Sequence, residues 1–381
     1  MSEQKPDYRI CGRCVMDTSD PEIVFDVMGI CRHCHRFDEQ VRTAVRSGED
    51  GRRALSKLAE KIRRDGRGRD YDCIIGVSGG VDSTYVAWLA RNLNLRPLAV
   101  HLDNGWNSEL ATTNIARALR TLGIDLQTHV INWLEFRDLQ LSFLKASTPD
   151  AEIPTDHAII ALMYSAAVRV GVRYVLTGYN VPTESHMTNA WSQGYYDWHY
   201  IRSVHRQFGS VPLRTFPHMN LWTYRRYLRK ISSVDVLNYV DYVKAEAIQT
   251  LETELSWKYY GGKHFESIYT RFYQAYILRR KWGFDKRRCH LSSLICSGEM
   301  TREQALAELQ EEPYPLEKQL EDRAYVTKKL GITDEEFETI MQLPKKTYWY
   351  YPSYGKLYRN PFFRTVRRLR HSLLGGAPTT A

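Results

Sequence analysis

From residue 72 to residue 177, short apolar runs alternate with longer stretches of helical periodicity. The run Asp72-Cys-Ile-Ile-Gly-Val77 reads as a buried parallel strand ending in a glycine-rich turn. A helix is predicted over 82–93, with Val86, Leu89, Ala90 and Leu93 on one face. A second strand is expected at 97–102. Ser108 then caps a helix that Gly123 stops near Leu122. A third strand at 126–131, helices near 133–145 and 155–170, and a strand at 174–177 continue the alternation. Strands alternating with helices predict an α/β fold, a doubly wound parallel sheet.

The flanks read differently. Residues 1–37 are Cys-rich and too short for a hydrophobic core of their own. Residues 38–70 carry Val41, Val45, Leu55, Leu58 and Ile62 at helical spacing and end in Gly66-Arg67-Gly68-Arg69-Asp70, which predicts a connecting helix or helix pair. The expected division is a zinc-binding ribbon at 1–37, the connector at 38–70, the sheet domain at 71–210, a helical, aromatic-rich C-terminal lobe at 211–345 and a basic tail at 346–381.

The chain of 381 residues is 43% hydrophobic and 25% charged, the mix of a soluble globular protein. No apolar run reaches the roughly 18 residues of a spanning helix. The beginning, MSEQKPDYRICGRC, has no apolar signal core, so a cytoplasmic location is expected. The formal net charge is +9. After Glu338 there is no acid, but there are Lys345, Lys346, Lys356, Arg359, Arg364, Arg367, Arg368 and Arg370, so the rest of the chain is nearly neutral. A neutral body argues against nucleic acid as a partner. The tail suits a lipid surface, an acidic partner or neither. Its cations alternate with Leu357, Tyr358, Phe362, Phe363, Val366 and Leu369 over 356–371, a pattern compatible with peripheral membrane contact, packing on the body or disorder.

The turn after the first strand carries the chemistry. Ser78-Gly79-Gly80-Val81-Asp82-Ser83 opens a helix. Glycines let backbone N–H groups approach an anion, and the helix N-terminus favours negative charge. Ser78 and Ser83 can donate to the same oxygens. Asp82 would repel a bare phosphate, which points to a Mg²⁺ bridging phosphates. The Gly-Lys-Ser/Thr ending of a Walker A loop is absent.

These six residues resemble the pyrophosphate-binding loop of the ATP pyrophosphatases, the PP-loop enzymes. That resemblance implies adenylation of a substrate oxygen, release of pyrophosphate and displacement of AMP by a nucleophile. It also implies adenosine contacts from the loop holding Asp103, and contacts to ATP and the activated substrate from Gly178 and Asn180. A narrower resemblance covers most of the chain. Cys11-x-x-Cys14-Val-Met-Asp17-Thr18, Gly29-x-Cys31-x-x-Cys34, Tyr259-Tyr260-Gly261-Gly262-Lys263-His264-Phe265-Glu266-Ser267, Gly283-Phe284-Asp285-Lys286-Arg287 and the stretch from His290 to Gly298 are similar to the N-acetyl sugar amidotransferases of bacterial surface-polysaccharide synthesis. The family implies conversion of an acetamido group on a nucleotide-linked sugar to an acetamidino group, in lipopolysaccharide O-antigen or related glycan synthesis. It further implies ammonia from a separate glutaminase like that of histidine biosynthesis, with a cyclase-like subunit.

Several residues are expected to serve that chemistry. Asp82, Lys263 and Glu184 are the catalytic candidates, Lys263 through the polyphosphate and Glu184 as an acid or base near the Asn180 loop. Asp156, His157 and His186 are weaker acid–base candidates. Lys286 and Arg287, with Arg288, are candidates for an acidic sugar nucleotide; their alternative is a solvated charged face. Trp198, in the aromatic segment 191–200, is a candidate for stacking on a base or sugar, its alternative being core packing. Ser2 offers no nucleophilic thiol, and Cys289 and Cys296 read as core residues, which is why a separate glutaminase is expected.

Cys11-x₂-Cys14 and Cys31-x₂-Cys34, sixteen residues apart, suit one tetrahedral Zn²⁺. Four thiolates leave no open position, so that zinc is structural; His33 and His35 are not needed. The expected cofactors are therefore ATP, Mg²⁺ and structural Zn²⁺. A tRNA-thiolating PP-loop enzyme is the main rival reading, since some of these pair the loop with a zinc ribbon, and a non-catalytic nucleotide-binding scaffold is the other.

Overall fold

The structure, a computed structural model, describes residues 7–359. Ser2 and the residues beyond Arg359, most of the expected interfacial segment 356–371 among them, lie outside the described residues. In chain order the elements begin with α1 (Arg32–Ala44), α2 (Gly48–Asp65), β1 (Cys73–Gly76), α3 (Val81–Asn92), β2 (Pro97–Asp103), α4 (Glu109–Leu122) and β3 (Asp125–Val130). There follow α5 (Trp133–Ala146), α6 (Ile153–Arg169), β4 (Tyr174–Thr177), α7 (Val181–Glu184), α8 (Trp198–Phe208), α9 (Leu221–Leu228), β5 (Ser232–Asp235) and α10 (Lys244–Leu255). The last part holds α11 (Ile268–Phe272), continued by wide π-type turns over Tyr273–Trp282, then α12 (Arg287–Ser297), α13 (Arg302–Gln310), α14 (Leu316–Leu330) and α15 (Asp334–Gln342). Local signals act as expected. The Ser108 hydroxyl accepts from the Ala111 N–H, and Gly123 ends α4 at φ 60°.

All five strands run parallel in the order β3-β2-β1-β4-β5. The fold is thus the doubly wound α/β sheet that the alternation predicts. Side-chain alternation along the strands explains the two layers. Cys73, Ile75, Ala99, Tyr174 and Leu176 face a core shared with α2, α3, α4 and α10. Ile74, Leu98, Val100, Leu102 and Val175 face the opposite core, with α5, α6 and α8. That second core runs on without a break into the C-terminal helices and the N-terminal cysteines.

One element departs from the expected division. β5 lies inside the stretch read as a helical lobe, and it pairs with β4 from Tyr174↔Ser232 to Thr177↔Asp235. Its polar sequence Ser-Ser-Val-Asp has only one apolar residue because it is an edge strand with little to bury. Among the described residues, no helix is long and apolar enough to cross a membrane.

The sheet order has one functional consequence. β2 and β3 extend the sheet on one side of β1, while β4 and β5 extend it on the other. The loops after β1 and β4 therefore meet at the point where strand order reverses, where open α/β sheets bind ligands. Gly178 marks the closeness of the approach: a Cβ there would stand 3.2 Å from the Asp82 backbone carbon.

Candidate active site

The 78–83 loop forms an anion cradle. Gly79 takes φ 84°, and a side chain there would collide with the Ala111 carbonyl at 2.7 Å, so this position requires glycine. The Ser78 and Ser83 hydroxyls lie 3.1 Å apart, Ser83 Oγ accepts from the Ser78 N–H, and Ser78 Oγ accepts from the Gly80 N–H. The Val81 N–H donates to the Tyr260 hydroxyl at 3.2 Å. Three of the nearest atoms to a Cβ at Gly80 would be Glu266 Oε1, Ser78 Oγ and Tyr260 Oη, each at 3.2 Å.

Glu266 reaches the cradle because the segment after the second strand holds it there. Asn107 and Ser267 form an antiparallel bridge, the Ser108 N–H donates to the Glu266 carbonyl, and the Ile268 N–H donates to the Trp106 carbonyl. Glu266 Oε2 is buried with no hydrogen-bond partner among the described residues. A buried carboxylate oxygen left unpaired is costly unless a cation meets it. Asp103 ends β2 and spends Oδ1 on the Gly105 N–H at 2.9 Å, which shapes the loop expected to meet adenosine.

The three catalytic candidates converge. Lys263 Nζ donates to Glu184 Oε1 at 2.8 Å, and Asp82 lies in the electrostatic field of both. Burial, and next the charge of Glu184, raise the Asp82 carboxyl above its ordinary value. Burial also acts on Glu184, but Lys263, with His264 and Lys244, outweighs it and holds this carboxyl low. Burial pulls Lys244 down, helped by Lys263. The Tyr242 hydroxyl donates to Asp82 Oδ1. Two half-buried carboxylates, Asp82 and Glu184, and the orphaned Oε2 of Glu266 make a donor set of hard oxygens that fits Mg²⁺. Asp82 and Glu266 are the residues that would hold it, with Lys263 and the loop N–H groups for the phosphates.

Beside this cluster opens a cavity of about 830 Å³. Glu184, Lys244, Lys263, His290, Lys286 and Tyr195 are among the side chains on its wall. His290 Nδ1 donates to the Thr183 carbonyl at 3.2 Å, which leaves Nε2 as the unprotonated nitrogen. Burial, with Lys263 and Lys244 nearby, holds His290 well below its ordinary pKa. Lys286 faces the cavity near Asp150, Glu152 and Asp156. Burial and the Asp150 and Glu152 charges push Asp156 up to about 8.

Other candidates are spent inside the fold. Trp198 is 7% exposed and lies in a stack of rings, with His218 at 4.2 Å, His157 at 5.6 Å and Phe216 at 5.9 Å. It is a core residue, not a stacking surface for a ligand. His157 is fully buried, donates from Nδ1 to the Tyr195 carbonyl and accepts the Met219 N–H at Nε2, so no lone pair or proton is left for catalysis. The Arg287 guanidinium grips Asp285 at 2.7 Å and the carbonyls of Glu308 and Glu311. Arg288 is held by Asp17 at 3.0 Å and by the Val15 carbonyl. Lys286 and Arg287 both line the cavity, but the Arg287 guanidinium is taken up by Asp285 and two carbonyls. Asn180 is wholly buried, and its side-chain oxygen caps α7 through the Thr183 N–H. Asn180 shapes the loop from behind.

The four N-terminal cysteines converge as their spacing predicts, all fully buried. The Sγ–Sγ separations of Cys11–Cys34, Cys14–Cys31 and Cys31–Cys34 are 3.8, 3.7 and 3.7 Å. Four sulfurs at about 2.3 Å from one zinc stand about 3.8 Å apart at the tetrahedron's edges, so these residues fit Zn²⁺. His33 and His35 are engaged elsewhere, with Asp20 at 2.7 Å and Asp26 at 2.8 Å. The knuckle docks on the C-terminal helices. Arg302 donates to the carbonyls of Cys11 and Cys14, and the Val15 N–H donates to Ser292.

Tyr242, Lys244, Tyr260, Glu266 and His290 are the site residues that sequence reasoning passed over. Tyr260 and Glu266 flank Lys263 in one motif and His290 opens another, so a signal was present for these three. Tyr242 and Lys244 sit in no motif and reach Asp82 only through the fold.

Residues 266–369 match the family model described as "LPS biosynthesis protein WbpG-like, C-terminal domain". No curated protein sequence matches the chain. Among solved structures, it is similar to an NMN synthetase from Francisella tularensis, with 15% identity and a TM-score of 0.27 over 54% of this chain and 92% of that one. It is also similar to an NH3-dependent NAD synthetase from Campylobacter jejuni, with 15% identity and a TM-score of 0.30 over 66% of this chain and 97% of that one. The part of the chain similar to that C-terminal domain begins at Glu266 and includes Lys286 and His290 on the cavity wall.

Proposed function

We propose that this chain is an ATP-dependent, AMP-forming amidotransferase of lipopolysaccharide or related surface-glycan synthesis. It converts the acetamido group of a nucleotide-linked N-acetyl sugar to an acetamidino group. The observation that carries this reading is the meeting of the 78–83 cradle, Asp82, Glu184, Lys263 and Glu266 at the mouth of a cavity of about 830 Å³, in a chain with an LPS-biosynthesis domain.

An amide carbonyl is a poor electrophile because its nitrogen donates into it. Transfer of AMP to the carbonyl oxygen makes an imidate with a good leaving group. Ammonia then attacks the carbon, the bond to the AMP oxygen breaks, and an amidine remains. Lys263, Ser78, Ser83 and the loop N–H groups hold the polyphosphate as its charge grows. The Tyr260 hydroxyl, now on the Val81 N–H, gives way to a phosphate oxygen or donates to it. Asp82 and Glu266 would hold Mg²⁺, which when bound would neutralise charge on the phosphates. His290 Nε2 takes the proton that the attacking ammonia loses. Lys286 meets the acidic part of the sugar nucleotide.

Ammonia comes from a separate glutaminase, similar to that of histidine biosynthesis, with a cyclase-like subunit as its companion. This is supported by two of the three thiols outside the knuckle, the third, Cys296, standing 3.8 Å from Cys34 Sγ beside the knuckle. Cys73 is fully buried and its thiol is raised by burial; Cys289 is pushed up to about 12 by burial. Neither is an activated nucleophile. The same two thiols disfavour sulfur transfer to tRNA.

The test is incubation with ATP, Mg²⁺, ammonium and candidate nucleotide sugars, read by mass spectrometry. AMP, pyrophosphate and a sugar in which NH replaces O are expected. Release of ADP, or AMP together with a thiolated tRNA, would overturn the proposal.

A further inference from the structure

The zinc knuckle has neighbours that its four-cysteine motif does not include. Cys296, near the end of α12, places Sγ 3.8 Å from Cys34 Sγ. His186, two residues beyond α7, places Nε2 3.7 Å from Cys296 Sγ. The ligand atoms of Cys34, His186 and Cys296 all lie within 4.8 Å of one another. Around a tetrahedral zinc, the sulfur–sulfur edge is about 3.8 Å and the sulfur–nitrogen edge about 3.6 Å. The observed separations match both.

The imidazole is set up as a ligand. Ser293 Oγ donates to the Cys289 carbonyl at 3.1 Å. It therefore accepts from the His186 backbone N–H at 3.3 Å and from Nδ1 at 3.0 Å. With the proton on Nδ1, which has Ser293 Oγ at 3.0 Å and Ser185 Oγ at 3.2 Å, the Nε2 lone pair faces Cys296 Sγ. Metal-bound histidines are held in this way, by a hydrogen bond from the other ring nitrogen. Among the described residues only Cys296 Sγ meets Nε2. The imidazole itself is fully buried.

We propose that Cys34, His186 and Cys296 form a second metal position, for Zn²⁺ or a similarly soft divalent cation, sharing the Cys34 thiolate with the knuckle. Binding forms bonds from Cys34 Sγ, Cys296 Sγ and His186 Nε2 to the ion and releases the Cys296 thiol proton to solvent. Four thiolates on one Zn²⁺ leave two negative charges, which a second dication offsets. With three protein ligands, the fourth position is open to water, so this ion exchanges more readily than the first. The position ties together three elements: α1 through Cys34, the segment after Glu184 through His186, and α12, which bears Lys286 and His290. Its catalytic consequence rests on the proposed function; the metal site does not.

The experiment is metal analysis by plasma mass spectrometry and native mass spectrometry of the full chain, saturated with Zn²⁺ and freed of excess. Two zinc ions per chain are expected in the unmodified protein, and one in Cys296→Ser and in His186→Gln. One ion per chain in the saturated unmodified protein would overturn the proposal. An independent readout needs no variant: the rate at which iodoacetamide alkylates Cys296 in the folded protein. Zn²⁺ saturation is expected to slow it by about tenfold or more relative to protein treated with a mild chelator, because a metal-bound thiolate is a poor nucleophile. Equal rates would count against the site.

Discussion

The cysteine knuckle and the glycine cradle are both announced by short motifs, yet they handle their buried polar atoms in opposite ways. In the knuckle, the thiols stand at the spacing of one metal, and the carbonyls of Cys11, Cys14 and Val15 are taken by Arg302 and Arg288. In the cradle, Asp82 and Glu184 repel each other, Glu266 Oε2 has no partner among the described residues, and Tyr260 sits where an anion would go. The first arrangement is a set of thiols and carbonyls that metal and arginine meet. The second stores an imbalance that ATP and Mg²⁺ would relieve, and sites of this kind are where chemistry is found.

Replacing one ligand of the knuckle should have the largest effect. Small zinc modules bind their metal with about 10–16 kcal/mol of apparent free energy. Cys14→Ser should therefore lose the knuckle zinc and open the N-terminal segment to trypsin at Arg13. A metal-free variant as protease-resistant as the parent would erase the distinction drawn here.

At the cradle the expectation has the other sign. Asp82→Asn should cut AMP formation by about 10²–10³-fold while leaving the thermal midpoint unchanged or raised. The sign follows from linkage. Burial and Glu184 raise the folded-state pKa of Asp82, so its ionisation costs stability as pH rises above the ordinary carboxylate range. A fall in melting temperature like that of Cys14→Ser would sink this reading.

The aromatic box around Trp198 sharpens the comparison, because it behaves like the knuckle although its sequence suggests a ligand surface. Burial brings His157 down to about 4, against about 6.5 when unfolded. Stability should be full above about pH 6.5 and fall by about 3 kcal/mol as pH drops toward 4. Urea midpoints at pH 7 and pH 4.5 should show a smaller difference in His157→Gln. The smallest effect is expected at the cavity wall. Lys286→Met should raise the KM for a nucleotide sugar by about tenfold, the loss of one charge-assisted contact, without shifting the melting temperature. Arg287→Ala should do the reverse, since its partners are Asp285 and two carbonyls.

Much of this was legible beforehand because it is local. Strand and helix positions follow from apolar runs, caps such as Ser108 and stops such as Gly123. The knuckle follows from two Cys pairs, and the cradle from six consecutive residues. Trp198 and Arg287 each allow two readings for one reason: an aromatic or cationic side chain looks the same in sequence whether it faces a ligand or a neighbour. His218, Phe216 and the carbonyl of Glu311 are far along the chain from them or lie in segments without a pattern.

By itself the amino-acid sequence determined the parallel sheet, the loop that meets phosphate and the set of knuckle thiols. Each depends on periodicity or spacing within a few tens of residues, where backbone geometry leaves few alternatives. Only the tertiary structure decided which charges remain unpaired. It brought Lys263 and Glu266 across to Asp82 and Glu184, closed Arg288 onto Asp17, and set His186 and Cys296 against Cys34. Pairing of buried charges is settled by the closest available partner, and that partner is chosen by how distant segments pack together.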